Sequence, residues 1–283
     1  MIATWNYKDR DTIIQRLDPR ARVIFIGCAT LAAVLVWDLR LLLIPFGLAL
    51  VQLFLARLTW RELRRFGLVI GFFIVFVTVL TLLTGRGGVG VYDIEHPIWQ
   101  GRVLGLRYSI SAERLAFAMS QLVRLFALAA LSVVLLFTMH PGSYGITFRR
   151  LGLPDNLAFA LDLAFRFVPS LSSDFMTTLD AQRARGYELE RAGGLFKAIR
   201  NLAPLIVPIT IGSILKGEDV IDAMNLHAFG TGPRTWLQEL HYHPRDIVLI
   251  ALGGALLGGA ILLGVRHQAG LWVPAWLMAL AQP

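Results

Sequence analysis

Phe66 to Thr84 runs without a charged residue. A stretch of that length decides the class of the chain, because about 20 apolar helical residues cross the hydrocarbon core of a bilayer. Four further runs repeat the theme. Val23 to Trp37 and Leu41 to Ala56 are uncharged, Leu115 to Thr138 carries only Arg124, and Ile247 to Val265 is uncharged and rich in glycine. Over the whole chain 56% of residues are hydrophobic and 16% charged, with a mean hydropathy of +0.62, against about a quarter charged in ordinary soluble domains. The expected fold is all-α, a polytopic membrane protein with about five transmembrane helices. The first two runs are slightly short for a bilayer, so their flanking arginines must snorkel or the helices must sit behind neighbours.

The net charge of +8 does not point to nucleic acid, because the basic residues lie between the apolar runs, where membrane proteins keep their cytoplasmic charge. Arginines before Val23, between Ala56 and Phe66, and between Met139 and Arg245 share one side if the first four spans alternate. That side is predicted to be the cytoplasm, with the N-terminus on it, in the inner or plasma membrane of a prokaryote. Lys8, Arg10, Asp18, Arg20 and Arg22 precede the first run without a small-residue cleavage site, so that run is expected to remain as an anchor. Cys28 is the single cysteine and excludes an internal disulfide.

Three regions follow. Residues 1–138 form an N-terminal transmembrane region of four spans with an external loop over 85–112. Residues 139–245 form a cytoplasmic platform of coupling helices between spans four and five. Residues 246–283 hold the last span and an interfacial tail with Trp272 and Trp276. The external loop is glycine-rich and alternates over Val89 to Ile94, which suggests a small β-hairpin; its glycines lack the strand-to-helix spacing of a phosphate-binding loop. Asp18 can cap, and Pro19 can start, the first helix. In the platform, Pro141, Pro154, Pro169, Pro204 and Pro208 are expected to break the chain into pieces, and Asp162 and Arg166 have the i, i+4 spacing of an ion pair.

Within the platform, Leu171 to Arg185 contains neither proline nor glycine and ends at Gly186, a natural left-handed stop. Arg183 and Arg185 fall in the last turn, where cations suit the negative end of the helix dipole, and Ala184 keeps the tip slim. Such a tip fits an acidic groove, since a guanidinium grips carboxylates bidentately. A second charged run, Lys216 to Phe229, heads into Gly230 with Gly232 and Pro233 behind it. Two such ends on one face suggest two plugs for a two-subunit partner.

Arg16-Leu17-Asp18-Pro19-Arg20, Leu151-Gly152-Leu153-Pro154, Phe165-Arg166-Phe167-Val168-Pro169 and Ala181-Gln182-Arg183-Ala184-Arg185-Gly186 together resemble the transmembrane T component, the coupling subunit, of energy-coupling factor transporters, the group that includes the CbiQ proteins. The resemblance covers most of the chain. It implies a membrane subunit that docks two cytoplasmic ATP-binding cassette ATPases and a separate S-type substrate-binding membrane subunit, for uptake of a vitamin or metal ion. It places ATP on the partner ATPases and no cofactor on this chain. By position, Ala184, Arg185 and Gly186 match the family's first Ala-Arg-Gly motif, with Arg185 as the docking residue. The second motif departs from the pattern: Leu226, His227 and Ala228 stand where Ala-Arg-Gly or a near variant is usual. A histidine, unlike an arginine, is a conditional cation near neutral pH, so the resemblance implies a specialised, unequal ATPase pair.

No catalytic or metal constellation is visible. His140, His227, His241 and His243 are scattered, the i, i+2 spacing of His241 and His243 does not converge on a helix, and His-Glu-x-x-His is absent. The chain is therefore read as a non-enzyme. Two other readings remain: a self-contained permease centred on Arg124, an expensive residue at that depth that needs protein, water or a carboxylate beside it, or an inter-helix ion pair; and a membrane hydrolase using Asp162 or Asp174 with a histidine.

Overall fold

The computed structural model describes residues 9–84, 97–103, 106–186, 195–232, 240–265, 273–274 and 278. They form eight α-helices, a short 3-10 helix (Pro141–Ser143) and one hairpin, in two compact units: His140–Leu240, and the described parts of Tyr7–Met139 with His241–Pro283.

The second of these holds the apolar helices. Helix α1 (Pro19–Leu35) begins as its sequence dictates, with the Asp18 carboxylate accepting the Arg20 N–H and Pro19 in the first turn. Asp38 likewise caps α2 (Leu39–Leu55), and Ser111 caps α4 (Ala112–Thr138) by accepting the Arg114 N–H. Helix α3 (Trp60–Thr84) and helix α8 (Pro244–Val265) complete the set. Helix α4 is central: α1, α2 and α3 all pack on it, and α8 packs on α1. The α1 face is built of small residues, Ala21, Ala29, Ala32 and Ala33, all buried, and a Cβ at Gly253 of α8 would stand 3.2 Å from the Phe25 Cα. Close backbone approach of this sort is how helices pack where lipid tails are as apolar as leucine.

Among the described residues three helices are long and apolar enough to cross a membrane: α3 over Trp60–Leu82, α4, and α8 over Pro244–Leu263, while α2 is a shorter apolar helix. Helices α1 and α2 each have 17 residues, so the shortness visible in their runs is real. Phe72, Phe73 and Val69 of α3 are largely exposed, as befits a helix facing lipid. This is a polytopic, essentially all-helical membrane protein. Among the described residues the one departure is a hairpin, where β1 (Pro97–Val103) pairs antiparallel with β2 (Leu106–Ser111), which leads straight into α4. The alternating Val89 to Ile94 segment, Trp272 and Trp276 lie outside the described residues.

The other unit contains α5 (Tyr144–Arg150), α6 (Asp155–Ala184) and α7 (Leu195–Leu226). Here one expectation is overturned. Pro141 and Pro154 do lie at helix starts, but Pro169 sits inside α6, and Pro204 and Pro208 sit inside α7, without breaking either helix. A proline removes one backbone bond and costs about 3 kcal/mol in a helix interior. Helices of 30 and 32 residues that pack on each other have enough remaining bonds and contacts to absorb it.

Candidate functional site

Helices α6 and α7 run antiparallel. As α6 advances from Phe159 through Asp174 to Gln182, the partners on the α7 side fall back from Phe229 through Lys216 to Pro204. The Phe159 and Phe229 rings lie 4.9 Å apart, and Lys216 bonds both Asp174 (2.5 Å) and Ser170 (3.1 Å). The contact at Pro204 has a direct cause. Pro208 has no N–H to give to the carbonyl four residues back, and the Gln182 side-chain amide donates to that oxygen at 3.3 Å. This ties the last turn of α6 to α7. The C-terminal ends of the two helices therefore stand at opposite ends of the pair, a separation on the order of 40 Å at 1.5 Å rise per residue.

The first end closes at Arg185, whose N–H bonds the Gln182 carbonyl, while Gly186 turns left-handed at φ +81° and donates to Arg183. Arg183, Ala184, Arg185 and Gly186 are all exposed. Arg183 lies 3.7 Å from Asp180, whereas the Arg185 guanidinium has no ion pair or hydrogen bond among the described residues.

The second end closes by the same rule at different residues. Phe229 N–H bonds the Met224 carbonyl and Ala228 N–H bonds Asn225, a Schellman closure, with Ala228 left-handed at φ +51°. Thus α7 stops at Leu226, not at Gly230, which is itself at φ +91° two residues farther on. In backbone terms Leu226, His227 and Ala228 occupy the positions of Ala184, Arg185 and Gly186: last helical residue, cap, and left-handed residue. Leu226 is 88% exposed, and His227 and Ala228 are exposed too. The surroundings differ in charge. Arg183 stands beside Arg185, whereas Glu218, Asp219 and Asp222 are exposed along the last turns of α7.

The α5–α6 corner ends the same way. Gly152 turns at φ +109°, Gly152 N–H bonds Arg149 and Leu153 N–H bonds Phe148. Asp162 does not pair with Arg166 as its spacing suggested. Its carboxylate accepts the Gly145 N–H at 2.9 Å, and a Cβ on Gly145 would stand 2.1 Å from it. Burial pushes the Asp162 carboxyl above its ordinary range, opposed by the Gly145 bond and the Arg166 charge.

Arg124 of α4 is buried and meets no carboxylate among the described residues. It donates to the Val36 carbonyl at 2.7 Å and to Gln121, and its guanidinium stacks 4.3 Å over Trp37. The reason is that α1 ends at Leu35, leaving free carbonyls and the negative end of a dipole that a cation satisfies. Sequence reasoning also missed a buried cluster at the other end of α1. Asp18 pairs bidentately with Arg20, Arg20 lies 4.0 Å over Tyr242, Arg22 donates to the Thr138 carbonyl, and Asp246 accepts the Asp18 and His243 N–H groups. Only Asp18 as a cap carried a local signal.

The sequence profile of the CbiQ family, described as cobalt transport protein, matches residues 10–236. The chain belongs to the CbiQ family. Relatives of this CbiQ-family chain include "Energy-coupling factor transporter transmembrane protein EcfT" of Thermotoga maritima, 28% identical over 87% of this chain and 88% of the relative. Proteins of the same description from Bacillus selenitireducens and Lacticaseibacillus paracasei are 27% and 29% identical, over 93% and 92% of this chain and 97% of each relative. The CbiQ-family chain is thus a membrane transport protein and not an enzyme. Asp162 and Asp174, the residues on which a hydrolase would rest, are engaged by the Gly145 N–H and by Lys216, with no histidine bonded to either among the described residues.

Proposed function

We propose that this chain is the transmembrane coupling component of an energy-coupling factor transporter. Its two exposed helix ends dock two cytoplasmic ATP-binding cassette ATPases, and a separate S-type membrane subunit captures the substrate. The observation that carries the reading is the matched pair of ends on α6 and α7, each presenting a basic residue at the cap of an exposed C-terminus, at opposite ends of one helix pair. Closure of an ATPase dimer changes the spacing of its two sockets, and a helix pair anchored at both ends converts that change into motion of the membrane subunit; such coupling needs contacts that differ between the two states. ATP sits on the ATPases. The docking residues are Ala184, Arg185 and Gly186 at one end and Leu226, His227 and Ala228 at the other. Arg183 and Gly230 support them, and the N-terminus faces the cytoplasm of a prokaryotic cell.

The unequal ends favour a specialised, unequal ATPase pair, with the more acidic socket at Arg185. The substrate is a vitamin or a metal ion held by the S-type subunit. A self-contained permease gains nothing from Arg124, which is committed to the Val36 carbonyl and the Trp37 ring. Affinity purification of the full chain from native membranes tests the proposal. Two ATPase subunits and one further membrane subunit are expected, with ATP-dependent uptake only from the assembled set. Uptake by the chain reconstituted alone would overturn it.

A further inference from the structure

Helices α2, α3 and α4 leave an apolar groove of about 390 Å³ between them, within the range of roughly 300–1,000 Å³ of ligand pockets. Phe46 and Leu50 of α2 and Phe126 and Val133 of α4 line it, and Gly67 and Gly71 form the α3 side. A Cβ at either glycine would meet nothing within 4 Å, so the hollow exists because these positions lack side chains. Apart from Trp60 and Arg64 at the start of α3, every lining residue is apolar. An occupant needs a long apolar body and, at the Trp60–Arg64 end, an anionic head.

The charge at that end is available. Arg57, Arg61 and Arg64 are exposed, and their guanidinium groups have no ion pair or hydrogen bond among the described residues. Glu62, the nearby acid, is held by Arg10. Trp60 is 76% exposed, and an exposed tryptophan beside arginines marks the headgroup level of a membrane. Arginine binds phosphate as a planar fork.

We infer that this groove is a binding site for an anionic phospholipid of the leaflet on the Arg57–Arg64 side, with an acyl chain lying between α2, α3 and α4 and the headgroup phosphate gripped by Arg61 and Arg64. The site holds α3, otherwise packed mainly on α4, against the rest of the membrane unit.

The test is native mass spectrometry of the purified full chain, released from detergent after exposure to equal amounts of phosphatidylglycerol and phosphatidylcholine with the same acyl chains. Phosphatidylglycerol should be retained in preference. The double variant Arg61→Gln/Arg64→Gln, on the exposed surface, should lower its retention by roughly 10- to 30-fold to the phosphatidylcholine level. Gly71→Phe, which fills the hollow, should evict both lipids while the protein remains monodisperse. Equal retention of the two lipids by the unaltered chain would overturn the inference, as would phosphatidylglycerol retention that survives the arginine replacements. Retention unchanged by Gly71→Phe, or a partner membrane protein crosslinking from Leu68 with no lipid retained, would also overturn it.

Discussion

Ala228 holds a backbone, φ +51°, that costs a side-chain-bearing residue about 1–2 kcal/mol, whereas its counterpart Gly186 at φ +81° has no such cost. Replacing Ala228 by glycine should therefore stabilise the end of α7 by about 1 kcal/mol, and Gly186→Ala should weaken the end of α6 by a similar amount. Amide exchange at residues 225–230 and around Arg185 would read both. Asp162 offers a second check. Removing its acceptor with Asp162→Ala leaves the Gly145 N–H unsatisfied and should cost about 1–3 kcal/mol, while Asp162→Asn keeps an acceptor and drops a partly desolvated charge, so its melting temperature at neutral pH should match or exceed that of the unaltered chain. The sign follows from the raised carboxyl. The protonated form is the one the fold favours, so this residue's contribution is fully present below the ordinary carboxylate range and is lost as pH rises through the folded value. Asp162→Asn should flatten that dependence in thermal melts from pH 4 to 7. Arg124→Gln should cost about 2 kcal/mol, because the Val36 carbonyl and the Trp37 face both lose their partner; Arg124→Lys should recover only part, since an ammonium lacks the planar stack.

At the scale of elements, what was legible in the sequence was what acts within one helical turn. Asp18 and Pro19 opening α1, and Gly186 closing α6, are local devices whose residue types announce them. The membrane helices were legible for a different reason, since an uncharged run of bilayer length has few other fates. The stop of α7 was not, because alanine in the left-handed position carries no signal, and Gly230 two residues on was the obvious candidate. The prolines misled for a related reason. Pro169, Pro204 and Pro208 break helices only when no other contact compensates, and the packing of α6 on α7, with Gln182 taking the carbonyl that Pro208 leaves free, lies beyond local reading. The partner of Arg124 was illegible because it is a backbone carbonyl far away in sequence. The Lys216–Asp174 bond, with both side chains over a third exposed, sets the register of α6 on α7 more than their stability, as such pairs contribute about 0–1 kcal/mol. Lys216→Ala should leave the melting temperature within a degree or two yet raise amide exchange along both helices.

For the molecule as a whole, the helical membrane unit and the α6–α7 pair divide the labour in the proposed mechanism: one sits in lipid, the other presents two ends to partners. The two ends share a backbone and differ in chemistry. Arg185 is a permanent cation with Arg183 beside it, while His227 follows Glu218, Asp219 and Asp222. A guanidinium reaching carboxylates forms charge-assisted bonds about twice as strong as neutral ones, so the first end should carry most of the docking free energy. The direct measurement is quantitative co-purification of the ATPase subunits with the unaltered chain, Arg185→Ala, His227→Ala and the double variant, each extracted from membranes at equal abundance. Arg185→Ala should lose roughly tenfold or more of the bound ATPase, His227→Ala less, and the double variant should retain none. Equal losses from the two single variants would contradict the unequal sockets, and full ATPase recovery with the double variant would contradict docking through these ends altogether.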